Sequence, residues 1–380
     1  MESKLCFKHR DKTVDPQDIR AQDLSSLCVF LHTGICQNYH PDRIPTFLTP
    51  VLPHLSGLMT FYAEDLSICE ALLHLFRDYA EQYISVLDAK CCIVLFQTSA
   101  DLLKSYSTCH CASRVVHRGD TRGLQADAEE EQKFSDVLSA IQLLIHLGTK
   151  DFIDICNTES HGAESVQSKQ VTDVIFFGLQ QILPLMTQGL LHYPKLCSHY
   201  FSLVGFMMDT YPEKACTLPY DLFSALLDSL LFGMSHSDPS ISKSSLRGIA
   251  EVAREHLKTG ILQTHLTQHP DILLNCSRRL LQEIIFQSIV WDRIEAAGNA
   301  LLPLVAANIQ KFVGLVNEIS GALDTISKRE RLQTAFERLL KPDVLSKVNS
   351  IGFEGRKNRI AFKKDFDIFV RDIHSFLVIH

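Results

Sequence analysis

The stretch YPKLCSHYFSLVGFMMDTYP, residues 193–212, decides how the rest of the chain is read. Two Tyr-Pro pairs, Tyr193-Pro194 and Tyr211-Pro212, bracket it. Between them Leu196, Tyr200, Leu203, Val204, Met207, Met208 and Tyr211 recur at steps of three or four, which on a helix gathers them onto one broad apolar face. Lys195, Ser198, Ser202 and Asp209 fall outside that face and stay in water. The spacing predicts a helix of about four to five turns. Proline, which lacks the N–H that a helix interior needs, punctuates both ends.

The same pattern extends in both directions. Ile68, Leu72, Phe76, Ala80, Tyr83 and Leu87 keep helical spacing through residues 64–87, and residues 43–60, 89–106, 130–147 and 167–192 read likewise. No region sustains the period-two alternation of a half-buried strand. After Pro219, Leu222, Phe223, Leu226, Leu227, Leu230 and Leu231 predict one helix; the turn SHSDPS follows, and Ile241, Leu246, Ile249, Ala253 and Leu257 predict the next. Asp238 is expected to accept hydrogen bonds from the orphan N–H groups of that second helix, with Pro239 at its first position. Gly260 stands where the helix ends and a positive φ is wanted.

Helix pairs joined by short turns recur every 40 to 50 residues or so, the spacing of HEAT and armadillo arrays. The expected fold class is all-α: an α-solenoid of HEAT-like antiparallel helix pairs, one superhelical array over residues 1–380, with a compact all-α bundle as the alternative. Residues 107–133, STCHCASRVVHRGDTRGLQADAEEEQK, lack apolar periodicity and predict a long surface loop. Residues 157–169 predict a shorter one. In 355–380, Ile360, Phe362, Phe366, Phe369, Val370, Ile373, Phe376 and Leu377 predict a terminal helix that caps the array. Its Arg356, Lys357, Arg359, Lys363 and Lys364 read as a solvated outer face, or as a binding patch.

Charge is unevenly distributed. Residues 328–380 hold 12 Lys/Arg against 7 Asp/Glu, a balance of +5, whereas residues 1–327 hold 25 against 37, a balance of −12. An acidic body disfavours nonspecific nucleic-acid binding and favours basic protein partners. No run approaches the roughly 20 apolar residues of a membrane span. MESKLCFKHRDK at the start has no apolar core behind it, so no secretory signal is expected. The 12 cysteines are scattered, with Cys69 and Cys197 at apolar helical positions, and read as small buried hydrophobes of a reducing compartment.

Catalytic and metal templates are poorly matched. Cys109, His110, Cys111 and His117 carry ligand chemistry, but a structural zinc site takes paired ligands two to four residues apart, twice over. Ser240 and Lys243 have an SxxK spacing in what reads as a capped first turn, and Asn275-Cys276-Ser277 matches a glycosylation acceptor. His74, His146 and His256 sit singly on predicted helices, and Trp291 reads as core. Phosphate-loop, dinucleotide, HExxH and GxSxG motifs are missing. No catalytic residue, cofactor or metal is expected.

QILPLMTQGLLHYPKLCSHYFSLVGFMMDTYPEKACTLPYDLFSALLDSLLFGM, residues 181–234, resembles the late HEAT repeats of the exportins of the karyopherin-β (importin-β) superfamily. The closing segment GRKNRIAFKKDFDIFVRDIHSFLVIH is similar to the end of such chains. The resemblance is closest from Val166 to Leu257 and at the terminus. It implies a nuclear transport receptor that shuttles between nucleus and cytoplasm through the nuclear pore, controlled by Ran-GTP. The implied cargoes are the hypusine-bearing translation factor and Smad-type regulators, with Phe-Gly nucleoporins as further partners. Receptors of this family are much longer and recognise Ran near their N-termini, so the expectation is a fragment, a truncated isoform or an incomplete gene model. No Ran- or cargo-contacting residue carries over. A HEAT-repeat scaffold without transport activity is the alternative function.

Overall fold

The computed structural model describes residues 16–37, 43–63, 65–114, 126–157, 166–286, 291–341, 348 and 353–377. Among these residues the chain is all-α, with seventeen α-helices and no strand. It divides into two compact units, Met1–Ile182 and Leu183–His380.

The first unit contains α1 (Pro16–Gln37), α2 (Arg43–Leu48), α3 (Leu52–Phe61), α4 (Leu66–Tyr83), α5 (Ala89–Arg114), α6 (Ala126–Asn157) and α7 (Val166–Ile182). At its centre α4 buries Ile68, Leu72, Phe76, Ala80 and Tyr83, the stripe its spacing predicts. Asp65 caps that helix by accepting hydrogen bonds from the Ser67 and Ile68 N–H groups at 3.0 and 3.4 Å. Helix α4 packs against α1 and α6, α3 against α5, and α7 against both α5 and α6.

Several boundaries differ from expectation, each for a local reason. Residues 43–60 form two helices, because Pro50 follows α2 without a donor and Pro53 occupies the first turn of α3, where none is needed. The predicted loop 107–133 is narrower: α5 continues to Arg114, α6 begins at Ala126, and 115–125 lie outside the described residues. The polar residues that suggest a loop are satisfied within helices. Thr108 Oγ1 donates back to the Lys104 carbonyl at 2.8 Å and Ser107 Oγ donates to Gln181 Oε1 of α7 at 2.5 Å. The interval 157–169 narrows similarly, with α6 reaching Asn157 and α7 starting at Val166. Residues 167–192 are not one helix. Pro184 interrupts the ladder after Ile182, and the chain turns through 3-10 segments at Leu183–Leu185 and Leu190–His192.

The second unit contains α8 (Pro194–Thr210), α9 (Pro212–Cys216), α10 (Tyr220–Met234), α11 (Pro239–Thr259), α12 (Gln263–Gln268), α13 (Ile272–Phe286), α14 (Trp291–Ala307), α15 (Ile309–Gly321), α16 (Ile326–Leu339) and α17 (Phe353–Leu377). The quoted stretch is α8, begun by Pro194, with Leu196, Tyr200, Leu203, Val204, Met207 and Met208 buried. Helix α11 has the predicted ends: Asp238 accepts from the Ser240 N–H at 2.8 Å, and Gly260 takes φ 71°. The Trp291 side chain lies outside the described residues.

Residue-to-residue contacts fix the directions of these helices. Between α10 and α11, Met234 meets Ser242, Gly233 meets Ser245 and Leu230 meets Gly248. Numbers fall on one helix as they rise on the other, so the pair is antiparallel. Between α8 and α11 they rise together, from Gly205 beside Ser244 to Asp209 on Arg247 at 2.7 Å. Glycine permits the close approaches: a Cβ on Gly233 would stand 2.5 Å from the Phe201 ring.

Helix α17 buries Phe362, Phe366, Phe369, Val370 and Ile373 and packs against α13, α14 and α16. The Phe366 ring lies so close to Gly298 of α14 that a Cβ there would be 2.8 Å away. The buried cysteines are all free thiols: Cys28, Cys69 and Cys92 in the first unit, Cys197, Cys216 and Cys276 in the second. No single described helix is long and apolar enough to cross a membrane; α14 and α15 reach that length only together, bent by 117°.

Candidate functional site

A concave site lies in the second unit, where α10 faces the chain leaving α12 and entering α13. Pro219 holds an extended backbone, φ −50° and ψ 145°, and sets Tyr220 at the first position of α10. Across from it, His265 and His269 stand four residues apart around α12 and reach the same side. The Tyr220 ring stacks on His269 at 3.6 Å and 10°, and Phe223 lies parallel to His265 at 5.0 Å.

Below this aromatic wall, Ser224, Leu227, Asp228 and Leu231 of α10 oppose Asp271, Asn275 and Cys276 around a cavity of about 290 Å3. The two sides run in parallel register. Tyr220 meets His269, Asp228 meets Cys276, and Ser235 donates to Glu283 at 2.6 Å with an offset of 48 positions. Lys311 steadies the far wall, donating to the Pro270 carbonyl at 2.8 Å and to Asp271 at 2.7 Å.

Asp228 distinguishes the groove electrostatically. It forms no hydrogen bond or ion pair among the described residues, and partial burial raises its carboxyl above the usual carboxylate value. Burial, reinforced by the Asp228 charge, pushes the Cys276 thiol up to about 12. A thiol so held stays protonated and is a poor nucleophile. The arrangement therefore suits binding: an aromatic and imidazole wall, an unpaired carboxylate and the Asn275 amide can take up a cationic or polar side chain.

A second cavity of about 340 Å3 lies on the other side of α12, lined by His256, Leu266, Leu273, Leu304, Lys311 and Phe312. The His256 Nδ1 is buried without a hydrogen-bond partner among the described residues, and burial lowers its pKa. Proton release there leaves a neutral imidazole among apolar groups.

The residues singled out in the sequence are dispersed. Cys109, His110 and Cys111 fall within α5, but their side chains, like the whole of His117, lie outside the described residues. Among the described residues no three His, Cys, Asp or Glu side chains gather as metal ligands. Ser240 lends its N–H to the Asp238 cap, and Ser277 Oγ donates to the Leu273 carbonyl at 3.1 Å.

His74 is not solitary. Its Nε2 meets Ser135 Oγ at 2.8 Å, beside an Asp78 carboxylate that pairs with Arg77 at 2.6 Å and with His32. Burial, more than the Arg77 charge, lowers the His74 pKa. The signal in the sequence was the spacing of His74, Arg77 and Asp78 at i, i+3 and i+4, a polar patch on one flank of an apolar helix. In the groove the corresponding signal was His265 and His269 at i and i+4. No family model matches the chain.

Proposed function

We propose that the chain is the C-terminal, HEAT-repeat portion of a nuclear transport receptor of the karyopherin-β superfamily, of the exportin-4 type. In this reading the helix pairs α10–α11 and α13–α14 are successive HEAT-like repeats of an α-solenoid. Protein cargo binds across several of them, and Ran-GTP controls the cycle in the complete receptor. Cargoes are the hypusine-bearing translation factor and Smad-type regulators, Phe-Gly nucleoporins bind in passage, and the protein shuttles between nucleus and cytoplasm.

The observation that carries this reading is the register of the groove. A helix that meets its counterpart 48 positions on, in parallel, is what stacking of antiparallel pairs produces. The sequence resemblance over 181–234 and 355–380 supplies the transport function. The acidic balance of residues 1–327 suits a basic cargo.

The test is a titration of the purified 380-residue chain with the hypusine-bearing factor, with Ran loaded with GTP or GDP. Cargo binding that Ran-GTP tightens supports a receptor able to work from these repeats. Cargo binding indifferent to the nucleotide favours a scaffold. If a folded, helical chain binds neither cargo nor Phe-Gly repeats, the transport reading fails for this segment.

A further inference from the structure

Helix α17 has two faces with different electrostatics. Some charges on and around it are matched: Lys363 pairs with Glu295 and Lys341 with Asp365, each at 2.8 Å, and Asp372 faces Arg331 and Arg338 at 3.9 Å. On the outer side Arg356, Lys357, Arg359 and Lys364 are exposed and have no hydrogen bond or ion pair among the described residues. Two large apolar side chains share that side, Ile360 at 51% exposure and Ile368 at 63%. They stand two turns apart with Lys364 midway, which places them about 12 Å from each other along the axis.

Helix stability does not account for this arrangement. Arg356, Lys357 and Arg359 occupy the N-terminal turns of α17, where the helix dipole and the free N–H groups favour negative charge and disfavour cations. Three cations crowded there, without an ion pair among the described side chains (that of Glu354 in the same turn lies outside them), cost the isolated fold a little. An external anion would reverse that balance.

We propose that this outer face of α17 is a docking surface for an acidic, amphipathic helical segment of a partner protein. Carboxylates of the segment pair with Arg356, Lys357, Arg359 and Lys364, while apolar residues two turns apart cover Ile360 and Ile368. Charge complementarity selects the partner, and the two isoleucines set its register. An extended polyanion fits less well. The two exposed isoleucines give a nucleic acid nothing to pair with, whereas an amphipathic helix covers them with its own apolar stripe.

The test uses the full chain and a fluorescent 20-residue helical peptide, roughly five turns long, with leucines on one stripe flanked by glutamates. Controls are the same peptide with glutamine for glutamate, a single-stranded RNA and vesicles containing phosphatidylserine. The acidic peptide is expected to bind, to weaken as salt rises, and to lose about tenfold or more in affinity to a chain carrying R356E, K357E, R359E and K364E. I360S with I368S should weaken it independently. The milder pair R356Q and R359Q serves if the reversal variant does not fold. Absence of acidic-peptide binding, binding indifferent to these substitutions, or tighter binding of RNA or vesicles at the same patch would each overturn the proposal.

Discussion

In Met1–Ile182 neighbouring helices are fastened by buried polar pairs: Thr49 with Tyr79 at 2.7 Å, Tyr106 donating to Asp136 at 2.9 Å, and Asp78 between Arg77 and His32. In Leu183–His380 glycines admit close apolar contacts more often, at Gly233 with Phe201, Gly248 with Leu230 and Gly298 with Phe366, where the first unit has Gly178 with Leu144. Polar bonds cross helices there too, as Tyr200 with Ser229 and Ser242 with the Met234 carbonyl, each at 2.8 Å. The contrast matters because hydrogen bonds and ion pairs are directional, whereas apolar packing depends on volume. Polar pairs specify one helix register and penalise every other, since a misplaced partner leaves a buried charge unmatched. Ring-on-glycine contacts specify shape and reject added bulk.

Removing the Phe366 ring should break the second pattern most severely. Phe366→Ala empties the space between Gly298 and Phe362 and is expected to cost about 4 kcal/mol. Urea unfolding of the two variants side by side checks it against Asp78→Ala, which takes a buried carboxylate away from Arg77 and His32 and should cost about 3 kcal/mol. Amide exchange should then place the first loss in Leu183–His380 and the second in Met1–Ile182. Losses spread equally over both units would end the comparison.

Local capping ranks below both. Asp238→Ala removes the acceptor for the Ser240 N–H and should lower stability by about 1 kcal/mol, read as a shift in the denaturant midpoint, while Asp238→Asn should be nearly silent.

The smallest expected effect is on pH. Burial lowers the pKa of His74 in the first unit and of His256 in the second. The unfolded chain therefore takes up those protons first as pH falls. Folding stability is unaffected above the ordinary histidine range near 6.5 and declines as pH drops through it toward the folded values. Denaturant midpoints taken at about pH 7.5 and about pH 5.5 should show the decline. His74→Gln should remove it from Met1–Ile182 alone, and a midpoint that rises on acidification contradicts the assignment.

Helices, their punctuation and the buried stripes were legible in the sequence because each depends on residues within a few positions. Pro194 starting α8, Asp238 capping α11 and Gly260 closing it are of this kind. Boundaries set by competing local signals were misjudged: Ser107 and Thr108 look like loop residues until Gln181 and the Lys104 carbonyl are in place. The groove was not legible. Tyr220 and His269 are brought together only by the packing of whole helices, and a 48-position offset leaves no mark in any short window. The His32–Asp78 pair was hidden for the same reason, since its members belong to α1 and α4.

The buried thiols give the molecule a pair of internal clocks. Burial encloses Cys28 and Cys216 and pushes their thiols up to about 11 and about 12, so each reacts slowly with an alkylating reagent or an oxidant while its helix is seated. Each is consumed chiefly during the moments when its own unit opens. The lifetime of Cys28 therefore counts openings of Met1–Ile182, and that of Cys216 counts openings of Leu183–His380. A chain exposed to oxidative stress would record, in which cysteine it lost first, which half let go.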